Sequence, residues 1–171
     1  DITPDYILGD FDSANDEIIN SIEERAKKKI TYKREKDYTD TEIAYNLAVE
    51  KGANEIILLG ATGTRYDHSL SNLGLMRRGL KSSIKVKVID DNNFIFLTDK
   101  SITLQGNKGD IISFQAYCDE IKNFNISGAK YNLSNYTLKL GDGITTSNEF
   151  LDEDIRVNFD NGILMILYTK D

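Results

Sequence analysis

The chain has 171 residues, of which 40% are hydrophobic and 29% are charged, and its formal net charge is −7 at pH 7. This composition is typical of a globular protein of one or two domains, with enough length for a hydrophobic core. The acidic balance argues against a general nucleic-acid binder, and no apolar run approaches the roughly 18 residues of a membrane span.

The first half of the chain is predicted to alternate strands with helices. Four apolar runs are predicted strands: residues 5–8, 30–33, 55–60 and 85–90. Ser13, Thr39 and Asp67 stand where the N-caps of three intervening helices are expected, and the lysines at 27–29 suit the end of the first helix. The third strand, EIILLG, is apolar enough to be buried on both faces. This order predicts a mostly parallel sheet with right-handed crossovers.

After residue 92 the helical periodicity ends and short β-rich runs follow one another. Asn161-Gly162, between IRVNFD and ILMILY, predicts a two-residue hairpin. Phe114 and Phe124 are expected to be core residues. The predicted fold class is therefore α/β plus all-β: a mostly parallel α/β sheet domain over residues 1–92, followed by an antiparallel β-sandwich domain over residues 93–171.

Charged side chains follow each of the first three predicted strands. They are Asp10 and Asp12 after the first, Arg34, Lys36, Asp37 and Asp40 after the second, and Arg65, Asp67 and His68, with Gly60 and Gly63, after the third. In open parallel sheets, ligands bind beyond the carboxyl ends of the strands. Helix capping explains one acid per helix but not five acids at one edge, so this pattern predicts a functional site.

Each of these residues also has a purely structural explanation when it is taken alone. Asp10 and Asp12 fit a turn at a strand exit, and Asp40 suits the positive N-terminus of its helix. Asp67 fits an N-cap, and His68 fits an ordinary surface position. The functional interpretation depends on their convergence.

Clustered carboxylates that stay ionised need a compensating positive charge. The chain has one His and one Cys, which argues against a zinc site of those ligands, whereas carboxylate oxygens suit Mg²⁺. Arg65, on a glycine-bearing loop, is suited to stabilise charge on a transferring phosphoryl group. The pattern indicates magnesium-dependent phosphoryl chemistry on a nucleotide. Cys118, the lone cysteine, excludes an internal disulfide and fits a reducing cytoplasm.

Three blocks, GDFDS (9–13), KDYTDTE (36–42) and GATGTRYDH (60–68), occur in that order. They resemble the signature blocks of the thiamine pyrophosphokinase family, and SNE (147–149) followed by IRVNFDNGILMIL is similar to the end of that family's C-terminal β-domain. The resemblance implies an α/β catalytic domain joined to a β-sandwich, in a homodimer. It further implies transfer of the terminal diphosphate of ATP to the hydroxyl of thiamine, with release of AMP.

The resemblance also implies roles for individual residues. Asp10, Asp12 and Asp40 would hold Mg²⁺ and the phosphates, while Arg65 and Asp67 would line the transfer site, with Asp67 orienting or deprotonating the hydroxyl. The residues expected to contact ATP are Lys36, Asp37, Thr39, Gly63, Arg65 and His68. Ser147 and Asn148 would lie near thiamine, in a site built where two subunits meet.

The family pattern has an upstream strand and an Asp-Gly-Gly segment before GDFDS, which only eight residues precede here. Residues 1–92 are therefore expected to lack the first strand of the catalytic domain. Two alternatives stay open. A strand followed by Asp-x-Asp also opens haloacid-dehalogenase-type phosphatases, with Asp10 as nucleophile and Asp12 as acid. The other is a non-catalytic nucleotide-binding module.

Overall fold

The computed structural model describes residues 3–11, 16–33, 35, 37–63 and 65–170. The chain divides into two compact units, Asp1–Gly52 and Ala53–Asp171. Together they give a mixed α/β protein with mostly β content and several sheets. None of the described helices combines the length and the apolar composition that a membrane crossing requires.

The first unit consists of two β–α pairs: β1 (Tyr6–Gly9), α1 (Asp16–Glu23), β2 (Lys28–Thr31) and α2 (Asp40–Glu50). β1 and β2 are parallel, with their registers running from Tyr6↔Lys28 to Gly9↔Thr31. The predicted N-cap of α2 is confirmed, since Thr39 Oγ1 accepts a hydrogen bond from the Glu42 N–H at 3.2 Å. The prediction that Lys28 and Lys29 end the first helix is wrong, because both lie in β2.

The second unit contains one described helix and ten described strands. In chain order these are β3 (Glu55–Leu59), α3 (Tyr66–Lys81), β4 (Lys85–Ile89), β5 (Asn93–Thr98), β6 (Ile102–Leu104), β7 (Ile111–Ala116), β8 (Glu120–Ser127), β9 (Leu133–Lys139), β10 (Asn148–Glu149), β11 (Ile155–Asn158) and β12 (Leu164–Thr169). One sheet has the order β10-β7-β12-β5-β4-β3 and the other the order β6-β11-β8-β9.

The described strands do not form the single N-terminal parallel sheet that the sequence predicts. β3 and β4 are parallel neighbours, as a β–α–β unit requires, but β4 pairs on its other side with the antiparallel strand β5. The parallel pairs β1–β2 and β3–β4 therefore belong to different sheets, and the larger sheet is mixed. Alternating periodicity shows that a run is a strand, but it does not select the neighbouring strand.

The prediction that the third strand is buried on both faces is wrong. In β3, Ile56 and Leu58 are buried, whereas Ile57 is 50% exposed and Leu59 is 71% exposed. Successive side chains of a strand point to opposite faces, so only one face of β3 is covered. α3 packs closely on the neighbouring strand, since a Cβ at Gly79 would collide with Val86.

The main hydrophobic cluster joins side chains of both sheets. Phe114 on β7 and Phe124 on β8 are fully buried, and their rings meet edge to face with centroids 6.3 Å apart, which confirms their predicted place in the core. The hairpin predicted at Asn161-Gly162 is wrong. β11 pairs with β6 and β8, whereas β12 pairs with β5 and β7, so the chain crosses between the sheets at this point.

Candidate active site

The first group of predicted site residues lies at the carboxyl end of β1. A side chain at position 9 would place its Cβ 3.6 Å from Asp40 Oδ2, so the Asp40 carboxylate lies against the backbone of Gly9, directly before Asp10. Gly9 has φ +155°, and the next residue but one, Phe11, has φ +58°. This unusual backbone marks a strained turn of the kind found at functional sites. The structure thus places the Asp40 carboxylate beside the turn that contains Asp10.

Asp40 is also the first residue of α2, where the helix dipole and the free N–H groups favour negative charge. Thr39 supplies the N-cap, and its hydroxyl is engaged within the helix start. Asp37 is exposed, in the bend before that cap. Asp12 and Lys36 lie outside the described residues. Within the described part of the chain, no three His, Cys, Asp or Glu side chains form a group that could hold a metal ion.

The second group lies between β3 and α3. Arg65 Nη2 donates to Asp67 Oδ2 at 2.6 Å and Arg65 Nε donates to Asp67 Oδ1 at 3.2 Å, a two-point contact between planar groups. The N–H of His68 also donates to Asp67 Oδ1, at 3.0 Å. All three residues are exposed. The arrangement places a cation and a carboxylate together at the N-terminus of a helix, which is a favourable position for an anion.

The role predicted for Asp67 as an N-cap is wrong. Arg65 is the N-cap of α3 and makes no capping bond with its side chain, while Asp67 lies in the first turn. The hydrogen bond from the Arg65 guanidinium holds the pKa of the Asp67 carboxyl below its usual range. Asp67 is therefore an ionised acceptor at neutral pH.

The third group lies on β10 and on the residues that lead into it, beside β7. Thr145, buried, donates its hydroxyl to Phe114 O at 2.5 Å, and the Ser147 N–H donates to Ser113 Oγ at 2.9 Å. Ser147 has φ +56° and is exposed. Asn148 is only 2% exposed and pairs in register with Ile112. The segment is thus fixed along its length, and it presents Ser147 in a strained conformation at its surface.

Tyr131 lies beside Asn148 and was not singled out by the sequence patterns. Asn148 Oδ1 accepts from the Tyr131 N–H at 3.0 Å, and Asn148 Nδ2 donates to Tyr131 O at 2.7 Å. The side chain of Tyr131 is 57% exposed, and Lys130 Nζ lies 5.7 Å from its ring centroid. An exposed ring on a fixed backbone can bind a planar heterocycle. Its only sequence signal, an aromatic residue in a polar loop, is too common to be specific.

One row of the six-stranded sheet relates the second and third groups. The register runs from Leu59 through Ile89, Phe94, Tyr168 and Ile112 to Asn148. The loop after β3 and the β10 segment therefore lie at the same level along the strand direction, although β3 and β10 are the two opposite edge strands of this sheet. Five inter-strand steps separate them, however, or about 24 Å at about 4.8 Å per step. Within one chain, the sheet does not bring Arg65 and Asn148 together.

Comparisons with known proteins extend over both parts of the chain. A family model described as "Thiamin pyrophosphokinase, catalytic domain" matches residues 1–88. A second, described as "Thiamin pyrophosphokinase, vitamin B1 binding domain", matches residues 99–164.

Individual proteins are similar over nearly the whole chain. Thiamine pyrophosphokinase of Bacillus subtilis is 35% identical over 173 residues, which cover 99% of this chain and 80% of the relative. Thiamine pyrophosphokinase 2 of Arabidopsis thaliana is 29% identical, over 98% of this chain and 66% of the relative. The crystal structure of the B. subtilis protein superposes with a TM-score of 0.89 at 32% identity, covering 99% of this chain and 80% of that one. A thiamin pyrophosphokinase family protein from Enterococcus faecalis gives 0.83 at 27% identity, covering 96% and 79%.

Proposed function

The chain belongs to the thiamin pyrophosphokinase family, and from this premise we propose that the protein transfers a diphosphate group from ATP to the hydroxyl of thiamine. The hydroxyl oxygen forms a bond to the β-phosphorus, the bond from that phosphorus to the oxygen of the α-phosphate breaks, and AMP leaves. The products are thiamine diphosphate, AMP and the hydroxyl proton. The observation that carries the proposal is that the catalytic and vitamin-binding halves of the family match consecutive parts of this one chain.

We propose that Asp10, Asp12 and Asp40 hold Mg²⁺. The position of the Asp40 carboxylate beside Gly9, directly before Asp10, supports this proposal, because Mg²⁺ takes one or two carboxylates and completes its shell with substrate phosphates and water. Bound there, Mg²⁺ would neutralise charge on the phosphates. The start of α2 adds backbone N–H groups that favour the same anions.

Arg65 is proposed to bind the diphosphate that moves, since its guanidinium is exposed beside the start of α3. Asp67 is proposed to orient the thiamine hydroxyl by accepting its hydrogen bond. Its lowered pKa makes the carboxylate a weak base, which favours orientation over full removal of the proton. The remaining proposed ATP contacts are Lys36, Asp37, Thr39, Gly63 and His68.

The thiamine site is proposed to contain Ser147, Asn148 and the ring of Tyr131, and to be completed by the nucleotide residues of a second copy of the chain in a homodimer. The separation of about 24 Å across one sheet supports this arrangement, because one thiamine molecule does not extend that far. The Asn148 amide is already engaged with the Tyr131 backbone, so Asn148 acts by positioning the ring.

The finer architecture is also a proposal: an α/β catalytic domain over residues 1–92 and a β-sandwich over residues 93–171. The limits of the two family matches, 1–88 and 99–164, support a boundary near residue 92. The cluster shared by the two sheets supports a sandwich. A cytoplasmic location is proposed because Cys118 is a free thiol.

The testing experiment measures AMP release by the full-length protein from ATP and Mg²⁺, with and without thiamine. Thiamine-dependent AMP with an equal amount of thiamine diphosphate is the expected result. Inorganic phosphate formed without thiamine would instead indicate the phosphatase, and a covalent phosphate on Asp10 would identify it. ATP binding without turnover would indicate a nucleotide-binding module. The family matches favour the diphosphotransferase over both alternatives.

A further inference from the structure

Asp90 lies at the end of β4, beside the loop between β3 and α3. β3 and β4 are parallel neighbours, and their registers end at Leu59↔Ile89. Gly60 begins the loop after β3, and Asp90 is the first residue after β4. The carboxyl ends of parallel neighbours meet at one edge, so Asp90 belongs to the edge that carries Arg65 and Asp67.

The Asp90 carboxylate joins this loop to the turn between β4 and β5. Thr62 Oγ1 donates a short hydrogen bond to Asp90 Oδ2. Asp90 Oδ1 accepts from the Asn92 N–H at 2.9 Å, from the Asn93 N–H at 2.8 Å and from Asn93 Nδ2 at 2.8 Å. The turn therefore fixes the carboxylate, and the carboxylate in turn fixes the hydroxyl of Thr62.

Two further contacts attach the loop to the helix that it leads into. Asn72 Nδ2, buried on α3, donates to Ala61 O at 2.9 Å, and the Gly63 N–H donates to Ser69 Oγ at 3.3 Å. These contacts come from α3, the helix that begins directly after Arg65. The Thr62–Asp90 bond comes from a different strand, and it sets the loop relative to the sheet.

We propose that Asp90 is a positioning residue for the diphosphate transfer: through the Thr62 hydroxyl it holds residues 60–63 so that Arg65 meets the moving diphosphate. The inference rests on the proposed function, since it assigns a role within the same site. Asp90 does not touch the substrate in this scheme. It acts through the loop, and its effect is on the placement of Arg65.

Thr62 offers the cleaner test, because replacement of Asp90 also disturbs the β4–β5 turn. Thr62→Val removes the hydroxyl at nearly constant volume, and Thr62→Ser retains it. Loss of a hydrogen bond to a charged group is expected to lower kcat/KM for ATP by about tenfold in Thr62→Val. Thr62→Ser should restore most of that loss. KM for thiamine should be the same in both variants as in the wild type, although Thr62→Val should also lower the melting temperature because it removes a hydrogen bond to a carboxylate. A merely structural role would not predict a loss confined to kcat/KM for ATP.

A double-mutant cycle tests the pairing itself. Asp90→Asn keeps the size of the side chain and removes its charge, and its effect on kcat/KM should not add to that of Thr62→Val. Three outcomes would each overturn the inference while the proposed function stands. The first is a kcat/KM for Thr62→Val equal to that of the wild type, and the second is a loss in Thr62→Ser as large as that in Thr62→Val. The third is additive effects of Thr62→Val and Asp90→Asn in the cycle. A wild-type protein without thiamine-dependent AMP release would overturn the proposed function, and this inference with it.

Discussion

The side-chain amide of Asn148 binds both backbone polar groups of Tyr131, accepting from its N–H at 3.0 Å and donating to its carbonyl at 2.7 Å. Asn148 is almost fully buried, whereas the ring that it fixes is exposed. A predicted ligand-binding residue is thus engaged within the protein, and its neighbour presents the aromatic surface. Buried amides of this kind fix one backbone conformation, because any other would leave polar groups unpaired.

Replacement of Asn148 by Ala is expected to lower the free energy of unfolding by about 1–3 kcal/mol, the cost of losing buried hydrogen bonds. It should also raise KM for thiamine, since the Tyr131 backbone loses its two bonds. Denaturant unfolding and steady-state kinetics measure the two effects. Thr146→Ala, an exposed neighbour, is the control for stability. Unchanged stability of Asn148→Ala would contradict a stabilising role for the two hydrogen bonds between Asn148 and the Tyr131 backbone.

Arg65→Ala is expected to abolish most thiamine-dependent AMP release and to leave the melting temperature nearly unchanged. Exposed ion pairs contribute little to stability, whereas a guanidinium at a transferring diphosphate contributes strongly to the rate. Lys108→Ala is the matched control, because Lys108 and Asp152 form a similarly exposed ion pair at 2.6 Å. Equal rates in the two variants would remove Arg65 from the proposed site.

Asp40→Asn is expected to shift the Mg²⁺ concentration for half-maximal AMP release upward by more than about tenfold, since even the outer partners of metal ligands contribute that much to affinity. The measurement is a Mg²⁺ titration at fixed ATP and thiamine. Glu50→Gln changes a carboxylate at the other end of the same helix and should leave the titration unaltered. A normal titration for Asp40→Asn would show that Asp40 is not a ligand.

The Asp90 carboxylate should stabilise the folded protein at neutral pH, and this stabilisation should be lost in acid. The hydrogen bond from Thr62, with those from Asn92 and Asn93, lowers the pKa of the folded-state carboxyl. Its stabilisation is therefore complete above the unfolded value of about 3.9 and is lost as pH falls from there through the folded value.

Unfolding of Asp90→Asn and the wild type at pH 7 and at pH 3 measures this dependence. The difference between the two proteins should be larger at pH 7. Asp91→Asn, an exposed neighbour, is the control. A difference that is the same at both pH values would contradict the assignment.

Two inactive variants should complement each other if the active site is built from two subunits. Arg65→Ala removes the nucleotide side and Tyr131→Ala the thiamine side, and a mixed dimer contains one site with neither change. Co-refolding equal amounts should restore about a quarter of wild-type AMP release, since about half of random dimers are mixed and each has one intact site. A mixture as inactive as its components would place the complete site within one chain.

Local patterns predicted most elements but not their partners. The runs that became β3, β4 and β7 were visible as apolar or alternating residues, and the cap at Thr39 was visible as a pattern of two residues. The hairpin prediction at Asn161-Gly162 is wrong because a turn signal indicates only the local backbone preference. The packing of distant side chains decides which sheet each of the two flanking strands joins.

The sequence by itself determined the family, through three ordered blocks, and it determined which residue types follow each strand. The tertiary structure alone decided that Asn148 positions Tyr131, that Asp90 anchors the loop before Arg65, and that four strands lie between β3, which leads into that loop, and β10. These relationships join residues 17 to 28 positions apart, or strands at opposite ends of a sheet. Local propensity does not predict these contacts, because they form only when the strands pair with particular neighbours in a particular register.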